Sequence, residues 1–426
     1  MHILHLSALP IWPINGKGGM PSLSETLKGH VREGHRATVI LPRYAVFGCE
    51  TREIAPPENV EYDVHITSCR WLPAVHRIRG VFYRLAGKPS LPFAIRWAVG
   101  LAVSALLTVS LVKAARQVRR REQHCYDIVY ANNEYAVVAG WLLGRLWRIP
   151  NVNRLYGTFL ADLMEKPLVR LRYPVAAGVF LVPHDLLICT NDGTRGDDVA
   201  RKLKIDLNKL RFWQNGIDIP ETQSRLSREE IQQKAPSNLR ADATWVFSCS
   251  RLSYWKRIDR MLHALRQCRT DGCECQLLIA GDGPERERLH LLAEKLGVAD
   301  RTVWFGAITH DAVWDLMNAS DVVMLTNDVT NRCNPLYEAI SIGKPIVSVY
   351  DPSTKDLLEH GVNALLAERD DLEQLGANVK RLCVDTALRV RLVHAQAEKA
   401  AIFWRWSERL GVEVKDLERI CRKNPA

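Results

Sequence analysis

Residues 245–283 read WVFSCSRLSYWKRIDRMLHALRQCRTDGCECQLLIAGDG. The run 245–249 predicts a buried strand, 256–267 a helix and 276–280 a second strand. The pattern continues with a helix over 284–296 and strands over 302–306, 322–326 and 346–349. Five βα units in about 120 residues predict a doubly wound parallel sheet.

The first half repeats the alternation less cleanly. An apolar strand over 2–7 leads into Asn15-Gly16-Lys17-Gly18-Gly19-Met20-Pro21, then a helix to Gly34 and a strand over 37–41. Later strands are expected at 127–131, 152–156, 186–190 and 210–214, whereas 44–95 is irregular and rich in Pro and aromatic residues. The polar stretch 220–240 separates the halves. A chain of 426 residues exceeds one ordinary core. The expected fold is therefore α/β: two facing Rossmann-like domains with a cleft between the C-terminal ends of their sheets. The predicted divisions are 1–214, 215–400 and a terminal segment 401–426.

Hydrophobic residues make up 47% and charged residues 25%, which excludes a disordered or collagen-like chain. The net charge of +10 is uneven. Residues 1–220 hold 29 Lys and Arg against 18 Asp and Glu, and residues 221–426 hold 29 against 30. The surplus belongs to the first half. The opening residues lack the cations of a signal peptide, and Pro10 and Pro13 interrupt them. The eleven cysteines are irregularly spaced and contain no C-x-x-C; Cys273 and Cys275 form only a C-x-C. Buried thiols in a reducing cytosol are expected, rather than disulfides or a zinc site. The uncharged stretch 97–112 is sixteen residues, short of the roughly 20 needed to span a bilayer. Lys113, Arg116, Arg119, Arg120 and Arg121 follow it. It reads as a helix with cations at its C-terminal end, or as a helix lying on an anionic membrane surface.

Three segments carry chemistry. The Gly18-Gly19 loop follows a strand and opens a helix, where backbone N–H groups can meet an anion or simply make a tight turn. It is neither a Walker A loop nor a dinucleotide fingerprint, because Gly follows Lys17 and the second strand ends without an acid. In Ser250-Arg251-Leu252-Ser253-Tyr254-Trp255-Lys256, two cations sit between a strand and a helix, a position that suits a diphosphate. In Asn334-Pro335-Leu336-Tyr337-Glu338, Asn334 is a good N-cap and Pro335 suits the first turn. Glu338 stands one turn in, where it can accept from vicinal hydroxyls or simply complement the helix dipole. No D-x-D triplet and no His/Cys cluster of metal spacing occurs. No cofactor and no obligatory metal is therefore expected.

This ordered set resembles the retaining family 4 glycosyltransferases of GT-B fold, the glycosyl transferases group 1. The resemblance is carried by Gly18-Gly19, Asn215-Gly216-Ile217-Asp218, Ser250-Arg251-Leu252 with Lys256, Ala280-Gly281-Asp282-Gly283-Pro284, Val303-Trp304-Phe305-Gly306, and Glu338-Ala339 with Gly343-Lys344-Pro345. It implies that Arg251 and Lys256 bind a nucleotide-sugar diphosphate and that Glu338 holds the ribose. It implies that the segment after Gly306 meets the base and that Gly18 and Gly19 approach the donor. It implies a metal-independent hexosyltransferase with a front-face mechanism, favouring UDP on family frequency. The sequence departs from the family at Thr330, where an acid is usual, at Asn331-Arg332-Cys333, and at Tyr156-Gly157.

The acceptor, a glycan, a lipid-linked carrier or a small molecule, is expected on the first domain. Asn132, Asn133 and Glu134 at one strand end and Arg154, Tyr156 and Thr158 at the next are the candidates. A cytoplasmic chain is expected, or one peripheral on the inner face of a membrane. The alternatives are a sugar-nucleotide epimerase or phosphorylase of the same fold, and a basic nucleic-acid-binding protein. The last lacks the interleaved aromatic and basic pattern.

Overall fold

The computed structural model describes residues 1–12, 19–47, 50–54, 56–57, 59–68, 93–123, 125–219 and 226–423. Gly18 lies outside them. The chain divides into two compact units, Met1–Gly216 with Trp406–Ala426, and Ile217–Arg405. The terminal segment thus belongs to the first unit, and the crossing lies at Gly216 and Ile217.

In the first unit, β1 (His2–Ser7), α1 (Pro21–Arg32) and β2 (Arg36–Pro42) are followed by a hairpin of β3 (Tyr44–Phe47) and β4 (Glu50–Glu53) and by β5 (Asp63–Thr67). Next come α2 (Phe93–Glu122), β6 (Ile128–Asn132), α3 (Val137–Trp147) and β7 (Asn151–Leu155). The short helices α4 (Val169–Arg172) and α5 (Pro174–Leu181) precede β8 (Leu186–Thr190), α6 (Gly196–Lys202) and β9 (Leu210–Trp213). The parallel sheet runs β5-β2-β1-β6-β7-β8-β9. Its central strands are buried on both faces, as helices on either side of a parallel sheet require.

Helix α2 is 30 residues long and, by length and composition, apolar enough to cross a membrane. The sixteen-residue stretch seen in the sequence is only its middle. Val103, Leu107, Leu111, Ala115 and Val118 form a buried stripe at helical spacing. Leu111, Ala115 and Val118 share one core with Leu4, Val129 and Leu143. Val109 on the opposite face is exposed, and so are Phe93 and Trp97 near the start of the helix.

In the second unit, α7 (Arg228–Lys234) precedes β10 (Thr244–Cys249), α8 (Ile258–Thr270), β11 (Cys275–Ala280), α9 (Arg286–Lys295) and β12 (Thr302–Gly306). Then follow α10 (His310–Ala319), β13 (Val322–Leu325), α11 (Asn334–Ser341), β14 (Ile346–Val349), β15 (Leu365–Ala367), α12 (Leu372–Val384) and α13 (Thr386–Ala400). Helix α14 (Trp406–Lys423) returns the chain to the first unit. The sheet order is β12-β11-β10-β13-β14-β15, the 3-2-1-4-5-6 order of a doubly wound domain. Side chains of β10 alternate between two cores. Val246 packs with Leu262, Leu265 and Leu277, whereas Trp245 and Phe247 pack with Leu278, Met317 and Leu336. The direction of winding reverses between β10 and β13. The crevice beyond their C-terminal ends is where such sheets bind ligands.

Candidate active site

The loops leaving β10, β11 and β12 are bonded into one layer. Ser250 N–H donates to the Ala280 carbonyl at 3.0 Å, and Gly281 N–H to the Gly306 carbonyl at 2.7 Å. Leu252 N–H donates to the Asp282 carbonyl at 3.1 Å. Glycine is required for this approach: a Cβ on Gly281 would stand 1.9 Å from the Ser250 oxygen, and one on Gly283 2.3 Å from the Leu252 oxygen. The layer carries Arg251 outward into solvent.

Lys256 is half-buried in a short 3-10 turn, Tyr254–Lys256, and its Nζ lies 4.3 Å from the Trp255 ring centroid. Helix α8 starts only at Ile258, after Arg257 in the left-handed conformation. Lys256 therefore precedes the helix instead of opening it. Neither Arg251 nor Lys256 has an acidic partner among the described residues. Their neighbours do: Arg257 pairs with Asp259 and Asp328, and Arg260 with Asp328. Asp328 N–H donates to the Trp255 carbonyl at 2.9 Å, which joins the turn to the loop after β13.

Glu338 is nearly buried on α11, and its Oε1 meets His310 Nε2 at 2.9 Å. His310 opens α10 behind the Thr309 N-cap, just past Gly306. The sequence reading missed it, since 28 residues separate it from Glu338. Cys249 lies within electrostatic range of Glu338, Cys333 and Lys256, so the ends of β10 and β13 converge. Burial, with Glu338 and Cys333, pushes the Cys249 thiol up to about 12, while Lys256 opposes this. The structure thus brings Arg251, Lys256, Gly306, Asn334, Pro335, Leu336 and Glu338 to the C-terminal edge of one sheet.

Two expectations change here. The N-cap of α11 is Cys333, without a side-chain bond, and Asn334 is the first helical residue. The amides around it are largely committed within the chain. Asn331 N–H donates to Asp351 at 2.6 Å, Arg332 N–H to Thr330 Oγ1 at 3.0 Å, and Leu336 N–H to the Cys333 carbonyl at 2.9 Å. Pro335 has no N–H to offer. Little of an anion-binding helix end remains. Thr330 is buried, with its Oγ1 2.9 Å from Ser353 Oγ, and Arg332 is drawn to Tyr337, Ser353 and Asp356. The substituted loop is therefore fixed by its own polar contacts.

In the first unit the winding reverses between β1 and β6. Gly19 is left-handed at φ 91. Asn133 is left-handed at φ 68 and nearly buried, and its Oδ1 accepts from Tyr135 N–H at 3.0 Å. Glu134 is half-buried by exposure, and burial raises its carboxyl above the ordinary range. Tyr156 donates to Asn132 Oδ1 at 2.8 Å. Arg154 is fully buried, with its guanidinium 4.9 Å from the Tyr156 ring centroid. It cannot present a charge to an acceptor from the surface. It faces a buried polar core that includes Tyr130 and Glu413.

Residues 229–399 match the family described as glycosyl transferases group 1. Most of the second unit is therefore similar to this family. The chain is 26% identical over 260 residues to a 2-deoxystreptamine N-acetyl-D-glucosaminyltransferase of Streptomyces fradiae, covering 58% of this chain and 61% of that one. A lipopolysaccharide core biosynthesis glycosyltransferase of Rhizobium meliloti is 27% identical over 180 residues, covering 42% and 51%. The chain spans between half and about three-fifths of the length of these curated relatives. The Anabaena HepE protein, solved with UDP and glucose, superposes with a TM-score of 0.69 at 21% identity, covering 97% of this chain and 99% of that one. The two units together have the GT-B fold.

Proposed function

We propose that this protein transfers a glycosyl group from a nucleoside diphosphate sugar, UDP-linked by preference, to a hydroxyl acceptor with retention of configuration. The observation that carries this reading is the pair Arg251 and Lys256, two cations without acidic partners among the described residues, at the switch point beside Glu338. In this reading Glu338 accepts from the ribose hydroxyls, and His310 holds its other side. The bond from the anomeric carbon to the diphosphate oxygen breaks, and the acceptor oxygen bonds to the same face. The acceptor proton passes to the departing phosphate. The charge growing on the diphosphate is met by the two cations, the role a divalent ion takes in other transferases. Incubation with UDP-, GDP- and ADP-sugars and candidate acceptors, read by mass spectrometry, tests it. A glycosylated product from one nucleotide series, with the donor's anomeric configuration by NMR, is expected. Inversion at C2 of the donor sugar without acceptor, or transfer that depends on free phosphate, overturns it.

The acceptor is proposed to be carried on an anionic lipid surface at the first unit, placing the protein peripherally on the inner membrane face. Phe93, Trp97, Phe159, Leu168 and Leu171 are all exposed. They form one patch, since Trp97 Nε1 donates to the Leu171 carbonyl at 2.7 Å, and Phe93 and Phe159 both pack edge-on to Tyr173. Arg170 and Arg172 border it, and Lys113, Arg116, Arg120 and Arg121 are exposed on α2. Aromatic and basic side chains together suit the interface of an anionic bilayer. Co-sedimentation with phosphatidylglycerol vesicles is expected, weakened by salt and by Trp97→Ser with Leu171→Ser. Absence of binding at low salt removes the membrane reading and leaves the transfer reading standing.

A further inference from the structure

Four cysteines that the chemistry above does not use gather at the opposite end of the second sheet. Cys268 lies in the last turn of α8, Cys273 in the turn that follows, Cys275 at the first position of β11 and Cys383 near the end of α12. The Sγ atoms of Cys273, Cys275 and Cys383 all lie within 4.8 Å of one another. The Cys268 thiol neighbours those of Cys273 and Cys275 and donates to the Gly376 carbonyl at 3.5 Å. The spacing expected from the sequence was not that of a metal site. The packing of α8 against α12 supplies what the spacing lacks.

We propose that Cys273, Cys275 and Cys383, with Cys268 as the fourth thiol in reach, bind a thiophilic metal ion of the Zn²⁺ class. A tetrahedral zinc–thiolate centre with bonds of about 2.3 Å places its sulfurs about 3.8 Å apart. Three sulfurs already within 4.8 Å need only a small contraction. The donor set is sulfur alone, which selects zinc or copper(I) over magnesium or calcium. Cys268, Cys273 and Cys275 belong to the apolar core, so water is largely excluded from the cluster, and Cys383 is half-exposed and gives a route of entry. Binding releases a proton from each thiol that becomes a ligand. Arg301 supplies compensating charge: its Nη1 donates to the Cys273 carbonyl at 2.6 Å.

The site is structural in this reading. Cys275 begins β11 and Gly281 follows its end, about 20 Å away at the strand rise. The ion would tie α8, β11 and α12 together, and the inference does not rest on the transfer reaction.

The full chain, purified under reducing conditions without chelator, is expected to carry about one equivalent of zinc per chain by mass spectrometry of the metal. Stripped protein titrated with Co²⁺ is expected to develop the intense visible and near-ultraviolet bands of a tetrahedral thiolate centre. Added Zn²⁺ is expected to abolish those bands and raise Tm in proportion to the logarithm of its concentration. Cys383→Ser, at a half-exposed position, and Cys275→Ser are expected to lose the bands, and Cys125→Ser, at an exposed cysteine elsewhere, to keep them. Zinc below about a tenth of an equivalent together with a featureless cobalt titration overturns the proposal. So does cobalt binding indifferent to Cys275→Ser and Cys383→Ser. A disulfide among the four that survives thiol reductant, found in a non-reduced digest, overturns it in favour of a covalent cross-link.

Discussion

Lys256→Ala is expected to lower kcat/KM for the nucleotide sugar by about 10²–10³, the usual cost of removing one preorganised group from a developing anion. Thermal stability should barely move. Lys256 has no ion pair among the described residues, and its contact with Trp255 is worth about 0.5–1 kcal/mol at an exposed site. Arg251→Ala is expected to behave alike, because Arg251 is exposed and the glycine-bonded layer, not its side chain, holds the loop. The double variant should lose less than the product of the two, since both cations act on one diphosphate. Steady-state kinetics with the donor found by the screen, beside melting curves, decide the matter. Unchanged transfer by either single variant removes that residue from the site. A collapse of Tm in step with activity assigns it a folding role instead.

Glu413→Gln is expected to destabilise the first unit by about 3–5 kcal/mol, the cost of breaking a buried ion pair from one side. For a domain of this size that is a fall in Tm of about 10 °C. Glu413 is fully buried on α14. Its Oε2 accepts from Arg409 Nη1 at 2.6 Å, and its Oε1 from Tyr130 at 2.7 Å with His30 Nε2 3.3 Å away. Burial alone would raise this carboxyl, but Arg409, His30 and Arg154 together hold it well below its ordinary range. A depressed carboxylate contributes stability that is complete above its unfolded value, about 4.3, and is lost as pH falls through the folded value. His5, 3.1 Å from His30, is held neutral, first by burial and then by His30. The unfolded chain protonates it below about 6.5 and the folded chain does not, so stability also falls as pH drops through that range. Acid loss of the wild type should therefore begin near 6.5 and steepen below about 4.3. The gap between wild type and Glu413→Gln should narrow over that second range. Melting curves from pH 8 to 2 measure both. A Tm that rises as pH falls from 7 to 5 contradicts the assignment.

Much of this was legible in the sequence, for identifiable reasons. Strands 186–190 and 346–349 stand at their expected bounds because a strand buried on both faces is a plain apolar run. Strand β5 escaped because Asp63-Val64-His65-Ile66-Thr67 is half polar and sits in the Pro-rich stretch, and β15 because it is three residues long. Arg251, Lys256 and Glu338 were visible because motif order places them on loops at one sheet edge. Arg154 was misjudged because its surroundings come from α14 at the far end of the chain, which no local pattern announces. His310 and the four thiols were hidden for the same reason. Each contact joins segments that only the packed sheet makes adjacent.

The returning helix has a consequence for topology. Ile217 N–H donates to the Trp404 carbonyl at 2.9 Å, and a Cβ on Gly216 would stand 2.4 Å from the Trp406 backbone. The chain thus leaves the first unit and re-enters it at neighbouring points. The second unit is a guest inserted into a host, with its two ends side by side. Excising 217–405 cuts two adjacent peptide bonds and leaves the guest's sheet intact. Deleting residues 407–426 instead strips Glu413 from a core laid down by residues 5, 30 and 130. Damage to this returning helix would unfold a core whose other members, such as Tyr130, lie 283 residues or more away along the chain.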